Sequence, residues 1–333
     1  MDLMPSADQD AIRDSVRSFL DAELPMSRVR ALCGAAGDAY APLWRAAAEL
    51  GLFADYALTE QMVIFEELGR SLAPGPWLGS VLAAQALAAA GHAAASAVSA
   101  GETRVALCVD PWGGALTVRG DRLSGTRHAV LGAGLADAFL VVDDAGVLFV
   151  PRGAGVKVEA AASLDATNPV GTVTFADAAA ARLSAGAAGR RRAATVLACA
   201  EAVGGISRTV EMSVEYAKVR HQFGKPIGSF QAVKHRCADM AVRAEVARSA
   251  TTYTAVSVRD GAADADFQVA VAKLLCANAY LQNAADNVQN HGGMGFTWEC
   301  DAHLFVKRSR AFDATVGPRR AQVDALVAQF RAG

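Results

Sequence analysis

The sequence carries no strong excess of either charge. Its 333 residues include 32 Lys and Arg against 34 Asp and Glu, which gives a formal net charge of -2. Proteins that bind nucleic acids usually present a basic patch or stripe. The one basic run, the three arginines at 190–192, is too short to form one. The composition therefore argues against a nucleic-acid partner.

Long apolar runs, paired cysteines and hydrolase motifs are also absent. The alanine-rich segment 81–100 is interrupted by His92 and many small residues, so it does not predict a membrane span, and Met1 to Pro5 do not suggest a signal peptide. The six cysteines have no paired or metal-like spacing, and there is no Gly-Xaa-Ser-Xaa-Gly sequence. We expect a cytoplasmic protein with reduced thiols, without a bound metal and without a membrane partner.

What the sequence does contain is a large apolar fraction, 53%, arranged in three compositional regions. Residues 1–102 show helical periodicity, residues 103–185 hold short β-rich runs between Gly and Asp turns, and residues 186–333 are helical again. We predict one domain for each region. The expected N-terminal helices are 8–20, 42–50, 58–72 and 78–90, with a break at 74–76, and the expected strands are 105–109, 115–118, 139–142, 147–150 and 170–175.

The most informative motif lies at residues 220–231, where a long apolar helical run ends. Gly224, Pro226 and Gly228 break the helix and create a corner. Arg220 is always charged and offers a planar fork of donors, which suits a pyrophosphate. Gln231, at the start of the next helix, can donate to a further oxygen or to an adenine edge. The corner therefore predicts an anion-binding group.

A second motif, Gln-Asn-His-Gly-Gly-Met-Gly-Phe, lies at residues 289–296. Its consecutive glycines allow backbone N–H groups to approach a phosphate or a ring. A single Gly-Gly-Xaa-Gly between helices is more often only a tight turn, and His291 can serve that turn through a backbone carbonyl. The combination with the corner about sixty residues earlier is much more specific than either motif alone.

Together the two motifs resemble the flavin-binding half of the acyl-CoA dehydrogenase family, over most of the chain and most strongly from residue 193 to 308. The resemblance implies an α+β fold with an N-terminal helical domain, a middle β-barrel or sandwich and a C-terminal four-helix bundle. It implies an FAD-dependent α,β-desaturation of an acyl-CoA, with an electron-transfer flavoprotein as acceptor. The residues that it assigns to the cofactor are Arg220, Phe223, Gln231, Gln289, His291, Gly292 and Gly293.

The segments that would contact the flavin ring within the same subunit depart from the family. Where the family has Thr-Glu-Pro-Xaa-Ala-Gly-Ser, residues 109–115 read Val-Asp-Pro-Trp-Gly-Gly-Ala and lack both hydroxyls. Where the family has a Trp and a hydroxyl residue after a Gly-Thr-Lys turn, residues 125–132 read Gly-Thr-Arg-His-Ala-Val-Leu-Gly. A loop that shapes the family's acyl pocket is also shortened after Phe53, so the pocket is either rebuilt or absent.

The family's catalytic base is equally hard to locate. An ungapped reading from Gly292 puts Val316 at one of the two positions where family members carry a glutamate, and the other position falls near Ala194. Asp313 and Glu201 are the nearest carboxylates, each displaced along its helix. Both are therefore candidates for the base, and Glu201 has the alternative of a structural pair with an arginine.

Three functions remain open from the sequence. The first is a subunit of a heteromeric acyl-CoA dehydrogenase that acts on a bulky, steroid-derived acyl-CoA, because paired α2β2 enzymes of actinobacterial steroid degradation have short, base-deficient partners that residues 295–308 resemble. The second is a self-sufficient homo-oligomer that uses Glu201 or Asp313. The third is a non-catalytic scaffold that retains the fold, since fold alone does not imply function.

Overall fold

The computed structural model describes residues 3–332 except 34, 36, 110–114, 145 and 185. The chain begins with helices, continues with strands and ends with long helices, in the predicted order. The first part consists of α1 (Ala7–Glu23), α2 (Met26–Leu32), α3 (Ala41–Glu49), α4 (Leu58–Arg70), α5 (Trp77–Ala89) and α6 (Ala95–Ser99).

Local sequence explains where these helices start and stop. Ser6 caps α1 in a capping box. Its hydroxyl accepts a hydrogen bond from the Gln9 backbone N–H, and the Gln9 side chain accepts one from the Ser6 backbone N–H. The break at 74–76 separates α4 from α5 as predicted, because proline cannot continue a helix. The four predicted helices are confirmed. The short helices α2 and α6 lack the periodicity of a longer amphipathic segment and were missed.

The middle part contains two four-stranded sheets. Strand β1 pairs in parallel with β4, whereas every other ladder in the two sheets is antiparallel. One sheet has the order β1-β4-β5-β8 and the other β2-β3-β7-β6. The strands are β1 (Val105–Val109), β2 (Thr117–Arg119), β3 (Arg122–Leu131), β4 (Ala138–Asp143), β5 (Gly146–Pro151), β6 (Val156–Ala161), β7 (Val170–Ala179) and β8 (Ala181–Ser184).

The five predicted strands are present, and three others were missed. Strand β3 contains Gly125 and a bulge before Val130, which together disrupt the alternation of apolar and polar residues. Strands β6 and β8 are largely exposed and carry charged side chains. Phe139 and Phe175 meet edge to face in the small core that the two sheets enclose.

The last part is a bundle of long helices with a small hairpin at one end. It comprises α7 (Ala188–Val219), the hairpin β9 (His221–Gln222) and β10 (Lys225–Pro226), α8 (Gln231–Arg259), α9 (Ala265–His291), α10 (Ala302–Ala314) and α11 (Arg319–Ala332). The α+β class predicted from the sequence is confirmed. In the part of the chain that the structure describes, no helix is both long and apolar enough to span a bilayer.

Two glycines fix how the N-terminal helices meet the bundle. A Cβ atom at Gly69 on α4 would lie 1.8 Å from the backbone oxygen of Glu201 on α7. A Cβ atom at Gly204 on α7 would lie 1.8 Å from the backbone oxygen of Glu66 on α4. Only glycine permits this approach, so α4 and α7 cross in direct backbone contact. This crossing holds Glu201 against the interior of the molecule.

Candidate functional site

A recess lies where the middle strands meet α5, α7, α9 and α10. Most of its lining is apolar, including Leu78, Leu107, Val130, Ala198 and Phe312. About 950 Å³ is free of atoms when the open mouth is counted. Because its lining is mostly apolar, the recess suits an apolar group.

The polar groups of the recess are organised by Arg308, which is 5% exposed. Its Nε donates to Asp165 at 2.5 Å, and one Nη donates to Glu201 at 2.7 Å. The other Nη donates to Thr167 Oγ1 at 2.7 Å and to the Leu72 carbonyl at 3.3 Å. Burial opposes the charge, but the two carboxylates keep the pKa of Arg308 above its usual value.

Glu201, one of the two candidates for the base, lies in this network and lines the recess. Its side chain is 27% exposed although protein surrounds it, so we infer that the exposed part faces the recess. Burial raises the pKa of Glu201, and the ion pair with Arg308 only partly offsets this rise. The carboxylate can reach a ligand, but in this state it is one half of a buried ion pair.

Asp313, the other candidate, lies outside the residues that line the recess. It is in the last turn of α10 and pairs with Arg319 at 3.3 Å. Thr315 and Val316, which follow it, do line the recess. Where the family resemblance leads to an expected glutamate, the wall therefore presents the methyl groups of Val316.

A buried lysine holds the segment that carries Val316. Lys273 Nζ donates to the carbonyl oxygens of Phe312 at 2.6 Å and Thr315 at 2.7 Å, and it lies 3.6 Å from the centre of the Phe312 ring. The ammonium group thus joins two carbonyl groups at the C-terminal end of α10, where helical carbonyls lack their regular partners. Burial lowers the pKa of Lys273 to about 8.

Tyr280 adds a polar group that is not paired. The residue is 1% exposed and lines the recess, yet its hydroxyl has no hydrogen-bond partner among the described residues. An unsatisfied buried hydroxyl costs roughly 1–3 kcal/mol. Burial raises the pKa of Tyr280, so the hydroxyl keeps its proton and remains a donor.

Strand β3 supplies the wall where the resemblance expects the flavin ring. His128 and Ala129 lie in the bulge, and Ala129 has a φ of +54°, a conformation that alanine rarely adopts. His128 Nδ1 is 3.1 Å from Thr172 Oγ1, and Val130 and Leu131 complete the wall. This wall offers few side-chain donors to a flavin ring. Residues 110–114 of the other expected ring segment lie outside the described residues.

The second candidate site is the corner after α7. Arg220 and Gln231 are exposed on either side of the β9–β10 hairpin. Phe223 is at its tip, 91% exposed, with a φ of +52°, and its ring contacts Phe230 edge to face at 6.0 Å. The corner therefore presents a large apolar ring and a guanidinium to solvent.

The glycine turn lies at the same end of the bundle as this corner. The Tyr216 ring, one turn before Arg220, stacks on the His291 ring with centroids 4.3 Å apart. His291 Nδ1 donates to the Asn287 carbonyl at 2.8 Å, and the ring is buried. His291 thus joins the ends of α7 and α9, while Gly292 and Gly293 remain at the surface.

The exposed groups of the corner and the turn have free donors. The side chains of Arg220, Gln231 and Gln289 make no hydrogen bond within the part of the chain that the structure describes. A Cβ atom at Gly292 or Gly293 would meet nothing within 4 Å, so the backbone is open to a ligand. A guanidinium, two amides and exposed backbone fit an anionic ligand such as a pyrophosphate. We call this surface the donor corner.

Sequence reasoning did not find Arg308, Asp165 or Tyr280. Arg308 is separated from Asp165 by 143 positions and from Glu201 by 107, so no local pattern relates them. The sequence did suggest that Glu201 could pair with an arginine. It gave no indication which arginine, nor that a second carboxylate would share it.

Comparisons with known proteins agree with this architecture. Residues 6–100 match the model of the acyl-CoA dehydrogenase N-terminal domain, and residues 176–330 match that of the C-terminal domain. The acyl-CoA dehydrogenase IpdE2 of Mycobacterium tuberculosis is 31% identical over 92% of this chain and 92% of its own length. The acyl-CoA dehydrogenase FadE34 of the same organism is 35% identical over 84% of this chain, which spans only 41% of that relative.

Solved structures show the same fold over the whole chain. A chain of the ChsE4-ChsE5 complex from Mycobacterium tuberculosis superposes with a TM-score of 0.88, at 26% identity and with both chains covered completely. A chain of the Tcur3481-Tcur3483 steroid ACAD gives 0.88 at 25% identity, over 98% of this chain and 99% of that one. The chain belongs to the acyl-CoA dehydrogenase family.

Proposed function

We propose that this chain is one subunit of an FAD-dependent acyl-CoA dehydrogenase built from two different chains. In this proposal the donor corner binds the pyrophosphate and adenine of a flavin whose ring lies on the partner subunit. The observation that carries the proposal is a contrast in pairing. Among the described residues, the side chains of Arg220, Gln231 and Gln289 have no hydrogen-bond partner, whereas Glu201 is engaged by Arg308.

Each group of the donor corner has a role that follows from its chemistry. The Arg220 fork binds two pyrophosphate oxygens, and exposed backbone at Gly292 and Gly293 approaches the phosphates. Gln231 and Gln289 donate to further oxygens or to the adenine edge. Phe223 covers part of the cofactor with apolar surface. His291 acts indirectly, because its ring holds the turn against Tyr216.

The nature of the partner and the substrate is supported by the comparisons. One similar structure is a complex of two differently named chains, and another is described as a steroid ACAD. By similarity, we assign a bulky, steroid-derived acyl-CoA as substrate, a second acyl-CoA dehydrogenase-like subunit in an α2β2 assembly, and an electron-transfer flavoprotein as acceptor. The bound flavin would accept hydride from the acyl β-carbon.

In the heteromeric enzyme the base that removes the α-proton is contributed by the partner. In this chain Val316 cannot accept a proton, and Asp313 does not line the recess. A second candidate function, the self-sufficient homo-oligomer, is favoured by one observation: Glu201 lines the recess and has a raised pKa. That function requires Glu201 to leave Arg308, or to act while paired with it.

The absorption spectrum of the purified protein separates these functions. The chain is expressed alone and together with a second acyl-CoA dehydrogenase-like subunit from the same organism, and flavin is measured per chain. We expect little flavin in the chain alone and about one flavin per pair in the complex. About one flavin per chain in the chain alone would contradict the heteromeric proposal and direct attention to Glu201. A colourless protein in both preparations would contradict both enzymes and support the non-catalytic scaffold.

A further inference from the structure

The unpaired hydroxyl of Tyr280 is the feature of the recess that the proposed function does not use. The buried guanidinium of the recess, in contrast, is engaged: the donors of Arg308 go to Asp165, Glu201, Thr167 and the Leu72 carbonyl. The Tyr280 hydroxyl is a buried hydrogen-bond donor that has no acceptor among the described residues.

The surroundings of this hydroxyl make room for it. A Cβ atom at Gly205 on α7 would lie 2.2 Å from Tyr280 Oη, so the hydroxyl fits only because residue 205 has no side chain. The ring carbon Cζ would lie 2.5 Å from the same Cβ atom, so the ring needs this glycine as well. The glycine thus allows α7 and α9 to enclose both the ring and its hydroxyl, and the hydroxyl is enclosed without an acceptor among the described residues.

The rest of the lining defines what kind of molecule could use the donor. The walls are mostly aliphatic, with the ring of Phe312 6.4 Å from that of Tyr280, centre to centre. Glu201, a carboxylate in the lining, disfavours a second negative charge. A suitable ligand is therefore apolar over most of its surface, uncharged at this end, and carries one acceptor oxygen.

The geometry points to Tyr280 as a specificity-determining residue that donates a hydrogen bond to a carbonyl or hydroxyl oxygen on an otherwise apolar ligand in the recess. Within the proposed function this ligand is an oxygen-bearing acyl group, and only that assignment rests on the proposed function. Binding in the recess depends neither on a thioester nor on which chain holds the flavin.

The test uses two uncharged probes of nearly equal shape, acetophenone and α-methylstyrene. In α-methylstyrene, a methylene group replaces the carbonyl oxygen of acetophenone. Their dissociation constants for the full chain are measured by ligand-detected NMR titration. We expect acetophenone to bind roughly tenfold more tightly, a difference of about 1.4 kcal/mol, because only it accepts the hydrogen bond. Tyr280→Phe should abolish the difference by weakening acetophenone alone.

Thermal unfolding of the same variant without a probe gives a second measurement. If the hydroxyl is kept for a ligand, Tyr280→Phe removes an unsatisfied group and its Tm equals or exceeds that of the unaltered chain. A lower Tm would show an internal role for the hydroxyl and would overturn the inference. Equal binding of the two probes by the unaltered chain would also overturn the inference, and so would no binding of either probe. These two outcomes are measured on the unaltered chain, so they can be read even if the variant does not fold.

These results are separable from the proposed function, because neither probe is a thioester and the titration follows no flavin. A chain that distinguishes the probes but never acquires flavin with its partner would keep the Tyr280 inference and lose the shared cofactor. A chain that acquires flavin with its partner but does not distinguish the probes would keep the shared cofactor and lose the Tyr280 inference.

Discussion

Helix α7 connects two regions that differ in how their charged side chains are buried and paired. Near its middle, Glu201 faces a recess and is paired with an arginine that is 5% exposed. At its end, Arg220 is exposed and has no partner among the described residues. Buried charges are costly unless they are paired, whereas an exposed guanidinium costs the fold little. The buried ion pair of the recess is therefore bound up with the stability of this chain, whereas the guanidinium of the donor corner is available to a ligand.

Removing the central cation of the recess should have the largest effect on stability. Arg308→Met leaves Asp165 and Glu201 buried without their common partner, which we expect to cost about 3–5 kcal/mol of unfolding free energy. Urea unfolding of the two proteins measures this cost. Arg310→Met, an exposed arginine on the same helix, is the matched control and should change little. A loss below about 1 kcal/mol for Arg308→Met would mean that the network is not the anchor of the recess.

The pH dependence of stability should report Lys273. Its pKa is about 8 in the folded chain against 10.5 for an ordinary lysine, so the unfolded chain binds more protons between these values. Stability should therefore rise with pH across this window, by up to roughly 3 kcal/mol, and Lys273→Met should lack this contribution.

The measurement is urea unfolding at pH 7, 8, 9 and 10 for both proteins. The control, Lys218→Met, removes an exposed lysine near the end of α7 without touching the recess. If the difference between the unaltered chain and Lys273→Met does not grow with pH, Lys273 titrates as an exposed lysine does and the segment before Val316 is held in another way.

Removing the guanidinium of the donor corner should affect cofactor binding and spare the fold. In the co-expressed complex, we expect Arg220→Ala to weaken FAD binding by roughly 10- to 100-fold, because charge-assisted hydrogen bonds contribute about 1.5–3 kcal/mol. Flavin released on dilution is followed by fluorescence. Arg220→Lys keeps the charge but not the fork, and should recover only part of the affinity. An unchanged affinity in Arg220→Ala would remove the donor corner from the flavin site.

The smallest effect concerns Glu201. Its pKa is raised in the folded chain, so the folded state binds more protons than the unfolded state just above the ordinary pKa of a glutamate. Its contribution to stability is thus fully present at lower pH and is lost as the pH rises through the raised pKa. Glu201→Gln should flatten this part of the stability profile, as measured by thermal unfolding between pH 4 and 7.

Glu201→Gln also tests whether Glu201 is the catalytic base. In the heteromeric enzyme, we expect flavin reduction by substrate to survive in Glu201→Gln, because the base lies on the partner. Complete loss of reduction with flavin still bound would instead support Glu201 as the base. Asp313→Asn provides the comparison, since Asp313 pairs with Arg319 outside the recess.

The sequence predicts more of the donor corner than of the recess. The donor corner is built from two local motifs: residues 220–231, where a helix break is visible in the residues themselves, and residues 289–293, which contain the glycine turn. The recess is not local. Its polar network joins α10 to α7 and to the loop before β7, and each contact depends on how those elements pack. The missed strand β3 belongs to the same category, because its bulge is stabilised by pairing with β7.

By itself, the sequence determined the order of helices, strands and helices, the α+β class and the helix break at residues 220–231, because periodicity, helix breaks and glycine act over a few residues. Only the tertiary structure decided that Glu201 is paired, that Asp313 lies outside the recess and that the Tyr280 hydroxyl has no partner among the described residues. The physical reason is that burial and ion pairing depend on groups brought together from distant parts of the chain, and the cost of an unpaired charge or hydroxyl exists only after water has been excluded.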